Sequence, residues 1–508
     1  MSIVIDDKKI TDINISNKNV QKIVDILTGK IIFEKTKPVS NEYFYIENTF
    51  NGNNNILLRT KVGSSNITGS HVTQLQYSKD KETWKTITLS EAIAIPMNSG
   101  ERVYFRNDSG FFNWYSDDLD MFYAWFNCTN YHKVGGNIKS LLDYNNYNVA
   151  MTPYCFYMLF YKNEYLTDAS ELILPKTSLA PYCYKEMFYY CTALTSTPKL
   201  PATTLVEGCY HSMFNGCTSL TTTPKLPATT LVESCYYRMF WDCTSLTTAP
   251  KLPATTLAPY CYRSMFNGCT SLTTAPALPV TTLAEYCYSS MFAGCTSLTT
   301  APALPATTLA EYCYYGMFSG CSSLTSAPIL PATTLASNCY RLMFRNCTSL
   351  TTAPALPATT LADNCYGEMF WNCSKLTVAP TLPATTLLYY CYNRMFRECT
   401  SLVNAPTLPA KTLAKDCYQE MFYGCTSLTT APALPATTLV DECYRYMFYN
   451  CSSLNNVTSY ANDIGSGTEY TLLWLDNVAA TGTFHNLGSA TYPRNVNGIP
   501  TGWTEVKN

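Results

Sequence analysis

Twenty-four cysteines stand against four histidines in this 508-residue chain. Cysteine is therefore the residue type that could do chemistry, as a disulfide, a metal-ligating thiolate or a nucleophile. Twenty-two of them fall into two registers of one period: Cys183, Cys209, Cys235 and onward every 26 residues to Cys443, and a second series eight residues later, from Cys191 to Cys451. Only Cys128 and Cys155 lie outside. A C-x₇-C ladder lacks the close pairs and histidine partners of common zinc sites. A bridge such as Cys287 to Cys295 would need Cα atoms within about 7 Å. His71, His132, His211 and His485 are scattered, and no Ser or Cys sits in a nucleophile motif with a base nearby in sequence. The expectation is a protein that is not an enzyme and uses no metal or cofactor, with its thiols packed as small hydrophobes.

The elements that place these cysteines come from the repeat itself. In Leu278 to Pro305, LPVTTLAEYCYSSMFAGCTSLTTAPALP, Thr282 followed by Glu285 reads as a capping box that starts a helix, and Gly294 reads as the residue that ends it. At 100° per residue, Leu283, Ala284, Cys287, Tyr288, Met291 and Phe292 fall on one half of the wheel, and the positions that vary between repeats fall on the other. After Cys295, the run Ser297-Leu298-Thr299-Thr300-Ala301 suits a short strand, cut off by Pro302 and Pro305. Cys287, Met291, Phe292, Cys295 and Leu298 are the expected repeat core. The fold class that follows is a repeat solenoid, one short parallel strand and one short helix per 26-residue unit, preceded by an all-β domain.

With 47% hydrophobic and 14% charged residues and a net charge of −2, nothing favours nucleic acid as a partner. No apolar run approaches the ~20 residues of a membrane helix. The opening MSIVIDDKKI TDINISNKNV lacks the pattern of a secretory signal, which predicts synthesis in a cytoplasm, where thiols stay reduced.

Five regions follow. Residues 1–37 hold a hairpin, Lys22 to Ile26 with Lys30 to Phe33 about Thr28-Gly29, read as an anchoring segment; 38–112 alternate in short runs, as in a β-sandwich; 113–170 form an aromatic-rich cap with a degenerate repeat around Cys155. Eleven repeats occupy 171–457, and 458–508 form a C-terminal β cap.

The recurring C-x-S-L-x-x-A-P-x-L-P-A-x-T-L-x-x-x-C-Y-x-x-M-F resembles the BspA-like branch of the leucine-rich repeats, from about residue 150 to 457. The flanking phrases VQKIVDILTGKIIFEK, YSKDKETW, ERVYFRNDSG, VGGNIKSLL and GIPTGWTEV resemble virion or prophage structural proteins from phages of gut Bacteroidetes. The resemblance implies a virion surface protein, of fibre, decoration or receptor-binding type, that attaches to host surface or gut polymers; the alternative is a bacterial cell-surface adhesin. It further implies other virion proteins as partners through the N-terminal region, a host glycan or protein as ligand, homo-oligomeric assembly and no membrane insertion. The position after each Met-Phe pair supplies the candidate binding face: Tyr189, Trp241, Arg345, Trp371, Arg397, Tyr423 and Tyr449, residue types favoured at interfaces. The threonine-rich strand face (Thr273, Thr274, Thr299, Thr300) is nearly uniform, which suits a repetitive polymer.

Overall fold

A computed structural model describes residues 22–24, 31–34, 43–62, 74–89, 93–108, 112–115, 121–465 and 470–507. Strands β1 (Lys22–Val24) and β2 (Ile31–Glu34) pair antiparallel, Lys22 opposite Glu34. The turn expected at Thr28-Gly29 and the remainder of the expected anchoring segment lie outside the described residues.

Alternating apolar residues then build two sheets. Strands β3 (Phe44–Asn48), β4 (Asn54–Val62), β5 (Gln74–Ser78), β6 (Lys85–Thr88), β7 (Ile93–Met97), β8 (Arg102–Arg106), β9 (Trp114–Tyr115), β10 (Met121–Cys128), β11 (His132–Asn137) and β12 (Leu166–Ile173) assemble in the orders β7-β4-β10-β9 and β12-β11-β3-β8-β5-β6. The sheets thus run on past residue 112 into β10 and β11. Phe44, Phe105 and Phe126 interlock between them, with ring centroids 4.9 to 5.9 Å apart, and Phe160 of the first repeat coil completes the cluster 6.1 Å from Phe44. A four-residue helix, α1 (Ser140–Asp143), follows β11. The parallel pairing of β11 with β12, and a bridge from Asp168 to Ser196, carry this domain into the repeats.

The repeats contain no α-helix, which corrects the helix expected after each Thr-Leu. In its place is a coil of successive turns. Cys287, Ser289, Met291, Ala293 and Cys295 each donate their N–H to the carbonyl three residues back, while Tyr288, Ser290, Phe292 and Gly294 donate to Cys313, Tyr315, Met317 and Ser319 of the next repeat. Every fourth residue (286, 290, 294) adopts positive φ. The physical reason is the spacing between repeats. Phe292 stacks 5.8 Å from both Phe266 and Phe318, whereas packed α-helices need about 8–10 Å between axes. A helix would also keep its amide bonds to itself, whereas this coil spends every second one on its neighbour. The capping box does not form either: Thr282 is bridged to Thr308, whose carbonyl accepts the N–H of Leu283.

The expected strand shrinks in the same way. Thr248, Thr274, Thr300, Ser326 and Thr352 form a row of single parallel bridges, not strands of several residues. Prolines such as Pro302 and Pro305, without an N–H, prevent the ladder from lengthening. The row ends in a three-stranded parallel sheet, β13 (Asn456–Ser459), β14 (Gly482–Asn486) and β15 (Trp503–Lys507).

Inside, Cys287, Met291, Phe292, Cys295 and Leu298 are fully buried, as are their counterparts in the other repeats. A tyrosine stack runs from Phe156 through Tyr184 and Tyr288 to Tyr444, continuing onto Trp474 and Tyr492 of the C-terminal region. The degenerate unit also stacks: Tyr154, Phe156, Met158 and Phe160 donate to Pro181, Cys183, Lys185 and Met187. The Tyr262 hydroxyl is buried without a hydrogen-bond partner among the described residues, a cost of about 1–3 kcal/mol. Tyr262→Phe is therefore expected to raise repeat stability by about 1 kcal/mol, read as a higher urea midpoint; a lower midpoint would show that ring packing at the hydroxyl outweighs its desolvation.

Candidate functional site

The variable side of the turn coil carries the candidate binding residues, all partly buried. The structure gathers five of the seven into one row. The Arg345 guanidinium lies 4.1 Å from the centre of the Trp371 ring, Arg397 lies 4.9 Å from Trp371 and 4.0 Å from Tyr423, and Tyr423 stacks on Tyr449 at 4.9 Å. Stacking repeats in register makes residues 26 apart neighbours, so alternate Arg and aromatic residues meet face to face. Trp241 stands apart, covered by Arg238 at 4.0 Å, because Asn267, Ala293 and Ser319 leave nothing to bridge it to Arg345. Tyr189 belongs to the N-terminal end, stacked on Tyr161 at 5.7 Å and against Tyr190 at 4.7 Å.

A polar row beside it was missed in the sequence. Arg341 pairs with Glu368 and Arg394 with Glu420, each at 2.8 Å, and Arg397 also reaches Glu420 and Glu398. The Trp371 indole N–H donates to Glu398 at 3.0 Å, Asn393 donates to Gln419 at 2.8 Å, and Gln419 donates to Glu442 at 3.0 Å. The signal was present as opposite charges about one period apart. These partly buried pairs hold the Arg and Trp side chains in fixed poses. Nearby, burial and the adjacent Glu442 carboxylate push Asp416 up to about 6.

Two of the histidines and all the thiols lie in the interior. His132 is buried, with Nδ1 3.0 Å from the Asn130 carbonyl and Nε2 3.1 Å from Asn163, and burial lowers it to about 4. Burial likewise lowers His211, to about 3, helped by Lys185 and Arg238. Both are neutral near pH 7, and His71 lies outside the described residues. All 24 cysteines are free and buried. Burial raises their thiols, to about 12 for Cys261 and Cys313. The second-register thiols also donate across the repeats: Cys295 Sγ to the Phe266 carbonyl at 3.1 Å, Cys321 to Phe292 at 3.1 Å. A disulfide or thiolate at these positions would forfeit that bond. Among the described residues no group of three His, Cys, Asp or Glu could hold a metal ion.

A chain whose units stack through identical turns, leucine, cysteine and aromatic layers is of the leucine-rich-repeat class. It belongs to the BspA-type leucine-rich repeat region family, whose model matches in six copies over residues 181–325, 259–377 and 367–497. No curated protein matches the chain. Among solved structures, the chain is similar to one described as the crystal structure of the TLR13-ssRNA13 complex, at 12% identity and a TM-score of 0.22, over 70% of this chain and 49% of that one. The chain thus spans about half the length of that structure's chain. No helix among the described residues is long and apolar enough to cross a membrane.

Proposed function

We propose that the chain is a non-enzymatic surface protein of adhesion type, and more narrowly a phage virion protein. In this reading the N-terminal region joins it to the particle, and a solenoid presents the aromatic row to the host surface. The observation that carries the reading is the row Arg345, Trp371, Arg397, Tyr423 and Tyr449, large side chains already fixed by mutual contacts and ion pairs. Binding through such a row costs little further ordering of side chains. BspA-type repeats support the surface role, and the flank resemblance motivates the particle.

Purified particles are expected to contain the chain by mass spectrometry, and particles carrying Trp241→Ala with Trp371→Ala are expected to adsorb to host cells at least tenfold less. Trp371 packs between two arginines and donates to Glu398, so its loss should also cost about 1–2 kcal/mol. Circular dichroism of the variant at the adsorption temperature separates that cost from lost contact. Particles free of the chain would overturn the virion reading, and its recovery on a bacterial surface would favour the adhesin. Unchanged adsorption would remove this row as the contact.

A further inference from the structure

The segments between successive turn coils have a charge pattern unlike the rest of the chain. In every unit the segment from one Thr-Thr pair to the next runs through Ala-Pro-x-Leu-Pro or a close variant, with Leu and the residue before the second pair buried and x exposed. Across ten such segments, from 195–204 to 429–438, there is no Asp or Glu, although the chain holds 36. The x position is Lys199, Lys225 and Lys251 in the first three repeats and uncharged in the other seven.

Backbone bonds hold these units in register. Thr255 N–H donates to the Thr229 carbonyl at 2.9 Å, Leu231 N–H to the Thr256 carbonyl at 3.0 Å, and Thr230 bridges Thr256. Neighbouring chains so paired lie about 4.8 Å apart, and like charges on adjacent strands repel. None of the three lysines has an ion-pair partner among the described residues. On the adjoining β12, Asp168 accepts the Ser170 N–H and Glu171 engages Lys133 and Arg102.

We propose that Lys199, Lys225 and Lys251 form a docking strip for a linear acidic polysaccharide, whose carboxylate or sulfate groups lie along the lysine row while its hydroxyls meet the exposed threonines on either side. Charge complementarity selects a polyanion. The lack of outward aromatic residues or arginines on this strip gives bases nothing to stack on, which favours a saccharide over a nucleic acid. The strip lies outside the turn coil that carries the aromatic row and does not depend on where the protein resides.

The test uses the full chain with polygalacturonate (carboxylate), chondroitin sulfate (sulfate and carboxylate), neutral dextran and poly(dT) as probes. Either acidic polysaccharide is expected to bind, more weakly as salt rises. Lys199→Gln/Lys225→Gln/Lys251→Gln should lower that affinity at least tenfold, whereas Lys411→Gln, in the corresponding segment six units beyond that of Lys251, should leave it within twofold. The lysines are exposed, and a melting temperature no lower than the parent's confirms a folded variant. Equal binding by the triple variant, equal binding of dextran, tighter binding of poly(dT), or no binding of either acidic polysaccharide would overturn the proposal.

Discussion

Raising the pH through about 10 in the presence of reductant is expected to unfold the repeats cooperatively. The ordinary thiol value of 9.0 is raised by burial in both registers, to about 12 for Cys261, Cys365 and Cys443 and upward for Cys287 and Cys295. Because the folded value is the higher one, the stabilisation is fully present below about 9 and is lost as the pH climbs from there toward the folded value. Each thiol then removes about 1.4 kcal/mol per pH unit. With two in every repeat, that is about 3 kcal/mol per repeat per pH unit, enough to overwhelm an array of this size within one or two units. Far-UV circular dichroism from about pH 8 to 11 should show a steep transition. A native signal persisting beyond about pH 11.5 would show that the thiols do not ionise on unfolding as supposed. Thiol titration at about pH 8 offers the complementary measurement, with few groups reactive in the folded chain and nearly all in the unfolded one.

Phe292→Ala should divide the array. The ring stacks on Phe266 and Phe318 at 5.8 Å with planes 4° and 7° from parallel, while its N–H donates to Met317 and its carbonyl accepts from the Cys321 thiol, both in the Phe318 unit. Truncating a buried phenylalanine costs about 3–5 kcal/mol. In a stack where each unit touches only its neighbours, that loss falls on two interfaces and leaves the rest intact. Denaturation is expected to separate into two transitions, with protease cutting near residue 292 between them. Phe188→Ala, close to the β domain, should lower one transition without splitting it. A single, equally shifted transition for both variants would show that the array unfolds as one body.

Much of this architecture was legible in the residues. The period of 26 located the eleven full units, and residue types located the degenerate one at Tyr154 to Phe160 that donates into the first of them; the further turn unit that accepts from Tyr444, Tyr446 and Phe448 through Tyr470, Leu472 and Trp474 lay hidden in the expected C-terminal cap. The inward set of Cys287, Tyr288, Met291 and Phe292 followed from the wheel, yet the helix behind that wheel is absent. A period of 3.6 and the coil's period of four place residues i and i+4 on the same side, and over about ten residues they drift too little to be told apart. The discriminating signal was glycine inside the supposed helix, at Gly208 and Gly316, where φ is positive. For the candidate face, composition by repeat identified the aromatic and arginine positions. It did not reveal that Trp241 and Tyr189 are isolated from the row, because that depends on the three small residues between.

The alternating use of amide groups in the turn coil reaches beyond stability to inheritance. Along the turn coil a repeat offers its neighbour five N–H donors, from Tyr286, Tyr288, Ser290, Phe292 and Gly294 in one unit, and receives five at matching positions from the other side, so any two units have matching edges. Duplication or loss of one unit by unequal recombination leaves no orphaned backbone group at the new junction, and alters the stack by one rung of about 5 Å. Copy number is thus a heritable dimension that such a gene can change in single steps, while the flanking domains that close the two ends stay as they are.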